Sequence, residues 1–193
     1  MSRKLKVVAV CGSVQSPSRT LALTEEILVA LGAELPLEVR LIELGSIGPQ
    51  LAGALHRKDL PAAIEEDVRA IETADLLVVA TPVYRASYTG LFKHLFDFVH
   101  HESLFDVPVL LAATGGSERH ALIIDHQLRP LFSFFQAHTL PVGVYASEAD
   151  FTNYQLTSSV IQQRVALAVA RAKPYLSHRS VAVDQNAPLT AAG

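Results

Sequence analysis

Short apolar runs alternate with amphipathic stretches along most of the chain. The run Lys6–Cys11 is rich in valine and almost continuously apolar, which is typical of a strand buried on both faces. Similar or alternating runs predict strands at Leu37–Leu44, Leu76–Thr81, Val107–Thr114 and Leu140–Ala146. Apolar residues at helical spacing predict helices at Arg19–Leu31, Leu60–Thr73, Gly90–His101, His120–His138 and Ser158–Leu176. Strands that alternate with helices imply right-handed crossovers, and therefore a parallel five-stranded α/β sheet with helices on both faces.

The length of the chain indicates one domain. Its 193 residues lie within the usual range of about 100–200 for a single domain. We expect the domain to span residues 1–176 and the polar, small-residue segment 177–193 to form a flexible tail. Parallel sheets bind ligands beyond the carboxyl ends of their strands, so we expect the chemistry in the loops after the first, third and fourth strands.

Composition narrows the choice of partners and compartment. A net charge of −3 with scattered basic residues gives no basis for a nucleic-acid surface. No stretch approaches the ~20 apolar residues that cross a bilayer, and the N-terminal residues do not resemble a signal peptide. Cys11 is the one cysteine, which excludes an internal disulfide. These features predict a cytoplasmic protein that binds neither membranes nor nucleic acids.

The first loop, Gly12–Thr20, carries four hydroxyl side chains and Arg19 directly before a predicted helix. Backbone N–H groups at a helix start, with hydroxyls and an arginine beside them, are suited to a phosphate monoester. The loop is neither a P-loop nor a dinucleotide fingerprint. The alternative is an ordinary Ser/Pro-rich turn in which Ser18 is the helix N-cap.

The other two loops carry weaker signals. Thr81–Gly90 contains Tyr84 and Tyr88, whose flat faces are suited to one side of a planar ring, although both can equally cover the edge of the sheet. Thr114–His120 contains paired glycines, which let backbone amides approach a ligand closely, although the segment also reads as a simple turn before a helix.

Taken together, the three loops form a recognisable pattern. G-S-x-x-x-x-S-R-T, then T-P-V-Y-x-x-x-Y-T-G-x-x-K, then A-T-G-G resembles the NAD(P)H-dependent FMN reductase family over roughly residues 5–175. More narrowly it resembles the sulfonate-utilisation flavin reductases, of the alkanesulfonate and methanesulfonate type. The resemblance implies a flavodoxin-like sandwich with strand order 2-1-3-4-5, FMN with NADH or NADPH as electron donor, a homodimer or homotetramer, and transient contact with an FMNH2-dependent monooxygenase.

The resemblance also implies roles for individual residues. The FMN phosphate would be held by Ser13, Ser18, Arg19 and Thr20, the ring would be lined by Pro82, Val83, Tyr84 and Arg85, and its pyrimidine side would meet Thr114, Gly115 and Gly116. Many relatives carry a second arginine where this chain has Gln15, a difference that favours weaker flavin retention. The two nucleotides supply the hydride chemistry, so no catalytic side chain and no metal ligand is named.

Two further segments bear on the fold. Pro130 has no N–H to offer the carbonyl of His126, which favours either a π-bulge there or a proline kink with His126 at a subunit contact. An unusually wide apolar stripe predicts a subunit interface; it consists of Leu91, Phe92, Leu95, Phe96, Val99, Phe132, Phe134 and Phe135.

Several residues that suggest chemistry have simpler interpretations. We expect the segment His100–Glu102 to be a solvated helix end, Cys11 to be a small core residue, and Arg119 and His120 to be surface charges, although the last two could instead reach a nicotinamide cofactor.

Three other functions compete with flavin supply. One is a quinone, azo-dye or metal-ion reductase of the same fold with tightly bound FMN. A second is a flavodoxin-like electron carrier, which a charge of −3 supports poorly because such carriers are usually strongly acidic. A third is a flavin-binding regulatory protein without turnover.

Overall fold

The computed structural model describes the backbone of residues 3–180 and the side chains of residues 3–176. The closing helix continues to Ser180, past the predicted end at Leu176. The rest of the predicted flexible tail lies outside the described residues. Within the described part, no helix is long and apolar enough to cross a membrane.

A parallel sheet forms the centre of the molecule. Its strands are β1 (Leu5–Cys11), β2 (Leu37–Glu43), β3 (Leu76–Pro82), β4 (Pro108–Gly115), β5 (His138–Thr139) and β6 (Val144–Ser147). The order is β2-β1-β3-β4, and β5 and β6 then pair with successive parts of β4. This arrangement confirms the predicted flavodoxin-like order 2-1-3-4-5, with β5 and β6 together as the fifth strand.

The fifth strand differs from the prediction because it is interrupted. The sequence predicts one strand over Leu140–Ala146, whereas pairing with β4 breaks between Thr139 and Val144. Pro141 lies in the break and has no N–H for a ladder bond. Gly143 also lies there, and a Cβ on it would come within 2.8 Å of Ile124, so the break is where the neighbouring turn packs closely on the sheet.

Helices cover both faces of the sheet. They are α1 (Arg19–Glu34), α2 (Leu44–Leu51), α3 (Ala62–Glu72), α4 (Gly90–Asp97), α5 (Arg129–Phe134) and α6 (Ser159–Ser180). Strand side chains alternate between two cores: Val7 packs in the same cluster as residues of α1 and α6, while Val8 packs with residues of α2 to α5. The three-layer sandwich is therefore confirmed.

A helix and a hairpin were not predicted. Helix α2 follows β2 directly, although its sequence contains two glycines and Pro49. A short antiparallel hairpin follows β6, with strands β7 (Phe151–Thr152) and β8 (Gln155–Leu156). Helix α4 is also shorter than predicted, since it ends at Asp97 rather than His101.

The long helix predicted over His120–His138 is broken into several pieces. A 3-10 turn at Glu118–His120 is followed by a π-helical turn at Ile124–Leu128 and then by α5. His126 lies in the π-helical turn and is exposed. The structure thus contains the π-bulge that Pro130 favours. The carbonyl of His126 would normally accept a hydrogen bond from the N–H four residues later, and Pro130 has none at that position.

The apolar stripe belongs mainly to the chain's own core, which corrects its interpretation as an interface. Phe92, Leu95, Phe96 and Phe132 are at most 1% exposed. The rings of Phe96 and Phe132 meet edge to face with centroids 5.0 Å apart, so α4 and α5 use these residues to pack against each other and the sheet. Within the stripe, Phe134 is the large side chain that stays exposed, at 68%.

Cys11 is a core residue, and the His100–Glu102 segment is exposed to solvent. Cys11 is buried at the end of β1, and burial raises the pKa of its thiol. His100, His101 and Glu102 are exposed in a turn after α4. Among the described residues, no group of three or more His, Cys, Asp or Glu side chains is placed to hold a metal ion.

Candidate functional site

A cleft opens at the carboxyl ends of β1, β3 and β4. It is lined by Ser13, Gln15, Pro17, Ser18, Arg19, Thr20, Pro82, Val83, Tyr84, Thr114, Gly115, Gly116 and Tyr154. The three loops singled out from the sequence therefore meet in one place, and every predicted site residue except Arg85 lines the cleft. Pro17 lies in the first of these loops but was not predicted, and Gln15 was singled out there only as a difference from relatives.

The first loop leads into α1 with its helix start facing the cleft. The hydroxyl oxygen of Ser18 accepts a hydrogen bond from the Leu21 N–H at 3.1 Å, so Ser18 is the N-cap. Ser13 is buried, and its hydroxyl oxygen accepts from the Gln15 N–H at 3.2 Å, which shapes the turn before the helix. Capping and ligand binding are compatible here, because the cap engages the N–H of Leu21 and leaves the other N–H groups of the first turn to other partners.

Arg19 is the cation of the cleft, and it already has protein partners. Its guanidinium donates to the carboxylate of Glu148 and lies 5.2 Å from the centre of the Tyr154 ring. Glu148 begins a 3-10 turn directly after β6, and Tyr154 sits at the tip of the hairpin β7–β8. The loop after the fifth strand thus forms part of the site, which the sequence did not indicate.

The hairpin tip has an uncommon backbone. Asn153 and Tyr154 both have positive φ, of 48° and 64°. Two-residue hairpin turns of this kind usually place a glycine in one of these positions, and a bulky side chain there is strained. The missing glycine hides the turn from sequence analysis, and the tyrosine brings its ring against Arg19.

The loop after β3 forms the opposite wall. A tight turn joins Tyr84 to Ser87 through reciprocal backbone bonds of 2.9 and 3.1 Å. Arg85 occupies the tip of this turn with φ of 51°, is exposed, and does not line the cleft, so the structure does not bring it together with the other predicted site residues. Tyr88 turns inward instead and packs against Phe92 with ring centroids 5.7 Å apart.

The floor of the cleft is the end of β4. Thr114 shares a hydrogen bond of 2.7 Å with the hydroxyl of Thr20, and its carbonyl accepts from the Val83 N–H at 2.8 Å. These two bonds tie all three loops together. A Cβ on Gly116 would meet nothing within 4 Å, so its backbone stands open to the cleft.

Gly115 and Tyr145 pack tightly behind this floor. The Tyr145 hydroxyl donates to the Ser117 carbonyl at 2.6 Å, and a Cβ on Gly115 would overlap that hydroxyl. Burial, and then the nearby carboxylates Glu118 and Asp150, raise the pKa of Tyr145 to about 12. The phenol therefore remains protonated and acts as a structural donor.

These features are suited to a planar ligand with a phosphate. One end of the cleft offers a helix start, hydroxyls and an arginine, which is the donor set that a phosphate monoester requires. The other end offers the flat ring of Tyr84 and the apolar side chains of Pro82 and Val83 beside an open glycine backbone.

Known proteins are similar to this chain in sequence and in fold. A family model described as NADPH-dependent FMN reductase matches residues 5–152. The chain is 63% identical to a protein named NADH-dependent FMN reductase SfnF from Pseudomonas fluorescens, a similarity that covers 90% of this chain and 93% of that one. It is 56% identical to a protein named FMN reductase (NADPH) from Pseudomonas aeruginosa, with 93% and 97% covered.

A solved structure agrees with these similarities. The crystal structure of an oxidoreductase from Corynebacterium diphtheriae superposes with a TM-score of 0.80 at 34% identity, covering 92% of this chain and 99% of that one. The similarity therefore extends over the whole sandwich and includes the strands whose loops form the cleft.

Proposed function

Since the chain belongs to the NADPH-dependent FMN reductase family, we propose that it supplies reduced FMN to a two-component sulfonate monooxygenase. The activity itself is that of an NAD(P)H:FMN oxidoreductase. The observation that carries the proposal is that a phosphate-type loop, a planar wall and an open glycine floor meet in a single cleft. The resemblance of these loops to sulfonate-utilisation reductases supports the choice of partner.

In this proposal each wall has its own task. Arg19, with the hydroxyls of Ser13, Ser18 and Thr20, holds the FMN phosphate at the start of α1. Pro82, Val83 and Tyr84 line the ring, and the backbone at Gly115–Gly116 meets its pyrimidine side. The chemistry supplied by bound FMN is the acceptance of a hydride from the nicotinamide cofactor.

The protein's part in catalysis is positioning and electrostatic support. Backbone N–H groups of the glycine floor are suited to stabilise negative charge on the ring edge that faces them. Tyr145 keeps its proton and holds the segment after β4 in place through Ser117. We assign no proton transfer to a side chain, in keeping with a reaction carried by two nucleotides.

The decisive measurement is steady-state oxidation of NADH and NADPH with free FMN varied from none to excess. We expect turnover to rise and saturate with FMN, and NADH to be preferred, as the name of the 63% identical relative suggests. Turnover that needs only bound FMN plus a quinone, dye or metal ion would instead assign the protein to the tightly bound class. No oxidation under any condition would contradict the enzyme proposal.

Variants test the phosphate assignment. Arg19→Gln should raise the KM for FMN about tenfold or more and leave the KM for riboflavin, which has no phosphate, unchanged. Arg171→Gln removes the same charge from an exposed position on α6 and serves as the matched control. An equal effect of Arg19→Gln on both flavins would contradict the assignment.

Compartment and assembly are part of the same proposal. We place the reaction in the cytoplasm, which the lone, buried Cys11 suits. We also propose a homodimer or homotetramer. Its support is the exposed side chain of Phe134, because the rest of the apolar stripe packs mainly within the chain's own core. Sedimentation of the purified protein measures its oligomeric state directly. Transient association with the monooxygenase is tested by measuring the activity of the monooxygenase on the FMNH2 that this reductase produces.

A further inference from the structure

We propose that Glu148 competes with the FMN phosphate for Arg19 and so sets how readily the nucleotide leaves the enzyme. This inference rests on the proposed function, because it concerns the same phosphate end of the cleft. It identifies Glu148, which lies outside the loops predicted from the sequence, as a residue that tunes affinity without taking part in hydride transfer.

The first observation is that Arg19 is engaged before any ligand is considered. Arg19 begins α1 inside the cleft, and its guanidinium donates to Glu148. The side chain of Glu148 is 59% exposed, and that of Arg19 is 37% exposed. The carboxylate thus lies at the rim of the cleft, on the group that is best suited to bind a phosphate there.

The second observation is that the backbone beneath Glu148 is fixed. Ser147 pairs with Gly115 in the sheet, so the turn that carries Glu148 starts beside the floor of the cleft. The Asp150 carboxylate accepts from both the N–H and the hydroxyl of Ser147 at 2.8 Å. Although burial opposes it, this bonding holds the pKa of Asp150 below its usual value and keeps the turn closed at neutral pH. Glu148 therefore remains near the cleft when its side chain swings away.

The third observation concerns a second contact of Arg19. The Tyr154 ring lies against its guanidinium, and cations are attracted to such ring faces. This contact leaves the carboxylate of Glu148, rather than Arg19 itself, as the partner that moves when an anion enters.

Charge decides the outcome of the competition. A phosphate monoester carries about −1.5 to −2 charges at pH 7 and several acceptor oxygens, so it displaces a carboxylate from an exposed ion pair. The displaced Glu148 stays tethered a short distance away and repels the dianion. Affinity for FMN is therefore lower than the phosphate loop alone would give, whereas riboflavin, which has no phosphate, is unaffected.

The test compares Glu148→Gln with Glu34→Gln. Glu34 pairs with Lys173 at the other end of α1, about 22 Å away along a helix rising ~1.5 Å per residue, so each variant removes one charge and one exposed ion pair. Dissociation constants for FMN and riboflavin are measured by quenching of flavin fluorescence at low ionic strength. We expect Glu148→Gln to bind FMN about three- to tenfold more tightly, with riboflavin unchanged, and Glu34→Gln to change neither.

A second arm ties the effect to Arg19. In an Arg19→Gln background, Glu148→Gln should raise the affinity for FMN relative to riboflavin by much less than it does in the wild type, because the competition for Arg19 is gone and only the repulsion between carboxylate and phosphate is relieved. Unchanged FMN affinity in Glu148→Gln, or an equal gain for riboflavin, overturns the inference while flavin reduction by the wild type stands. If the wild type neither binds nor reduces FMN, the proposed function falls and the inference falls with it.

Discussion

The hydroxyls of Thr20 and Thr114 lie 2.7 Å apart in a shared hydrogen bond, at 2% and 6% exposure. Thr20 belongs to the first turn of α1 and Thr114 to the end of β4, and the two residues are 94 positions apart in the sequence. One buried polar contact thus sets the distance between the phosphate end of the cleft and its floor. The hydrogen bond between Thr20 and Thr114 therefore shapes the cleft in which a ligand would bind.

Replacing one of these hydroxyls should destabilise the protein. Thr114→Val keeps the shape of the side chain but leaves the Thr20 hydroxyl buried without that partner, at a cost of about 1–2 kcal/mol. The double change Thr20→Val with Thr114→Val should cost less than the sum of the single changes. Urea denaturation of the flavin-free protein measures both effects, and strict additivity would show that the two hydroxyls do not depend on each other.

The π-helical turn should influence flavin binding through Gln127. The Ser87 hydroxyl donates to the Gln127 side-chain oxygen at 3.1 Å, which connects the turn carrying Tyr84 to the bulge. Gln127→Leu removes the acceptor and should weaken FMN binding up to about fivefold, since a typical hydrogen bond contributes about 1 kcal/mol. Fluorescence titration gives the dissociation constant.

Conservative changes separate this coupling from a general loss of structure. Gln127→Glu keeps an oxygen acceptor and should retain the affinity, while Ser87→Ala should reproduce the loss seen in Gln127→Leu. A loss in Gln127→Glu as large as in Gln127→Leu would assign the effect to the amide's other contacts.

The two glycines of the cleft floor should respond very differently to alanine. Gly115→Ala drives a methyl group into the Tyr145 hydroxyl and should cost about 1–3 kcal/mol, whereas Gly116→Ala meets open space and should cost far less. Adding Tyr145→Phe removes the overlapping oxygen and should recover part of the loss. Thermal unfolding of the wild type and these three variants distinguishes them, and equal losses for both glycines would contradict the packing described.

The raised pKa of Tyr145 should make the unfolding free energy depend on pH under alkaline conditions. Its folded pKa of about 12 lies above the ordinary 10.0, so the unfolded chain releases this proton first. The contribution of Tyr145 is therefore complete below pH 10 and is lost as the pH rises toward 12. The unfolding free energy of the wild type should fall more steeply over that interval than that of Tyr145→Phe, and parallel curves would contradict the raised pKa.

The sequence predicted the sheet well because its central strands are buried on both faces. Runs such as Leu76–Thr81 have no competing interpretation once flanking turns are considered. The fifth strand was predicted as continuous because the effect of Pro141 and Gly143 depends on a neighbouring turn, which local pattern does not show. Helix α2 was missed because Pro49 and two glycines give its sequence a low helix propensity. Tertiary packing nevertheless forms a helix there.

The site was predicted as far as it lies in the loops that directly follow the strands. Residues of those loops could be recognised by type and spacing, and all but Arg85 line the cleft. Arg85 faces out because a turn with positive φ reverses the chain there. Tyr154 reaches Arg19 from a hairpin whose turn lacks glycine, and Glu148 reaches it from the 3-10 turn before that hairpin, so no local signal announced either residue.

The lining of the cleft spans the chain from Ser13 to Tyr154 and draws on the first and last strands of the fold alike. A nucleotide seated there would act as a noncovalent cross-link between segments that are remote in sequence. Binding restricted to the native state adds about 2.7 kcal/mol at a hundredfold excess over Kd. Amide hydrogen exchange in all these loops should therefore slow together on loading, as expected of one cooperative unit rather than of separate mobile loops.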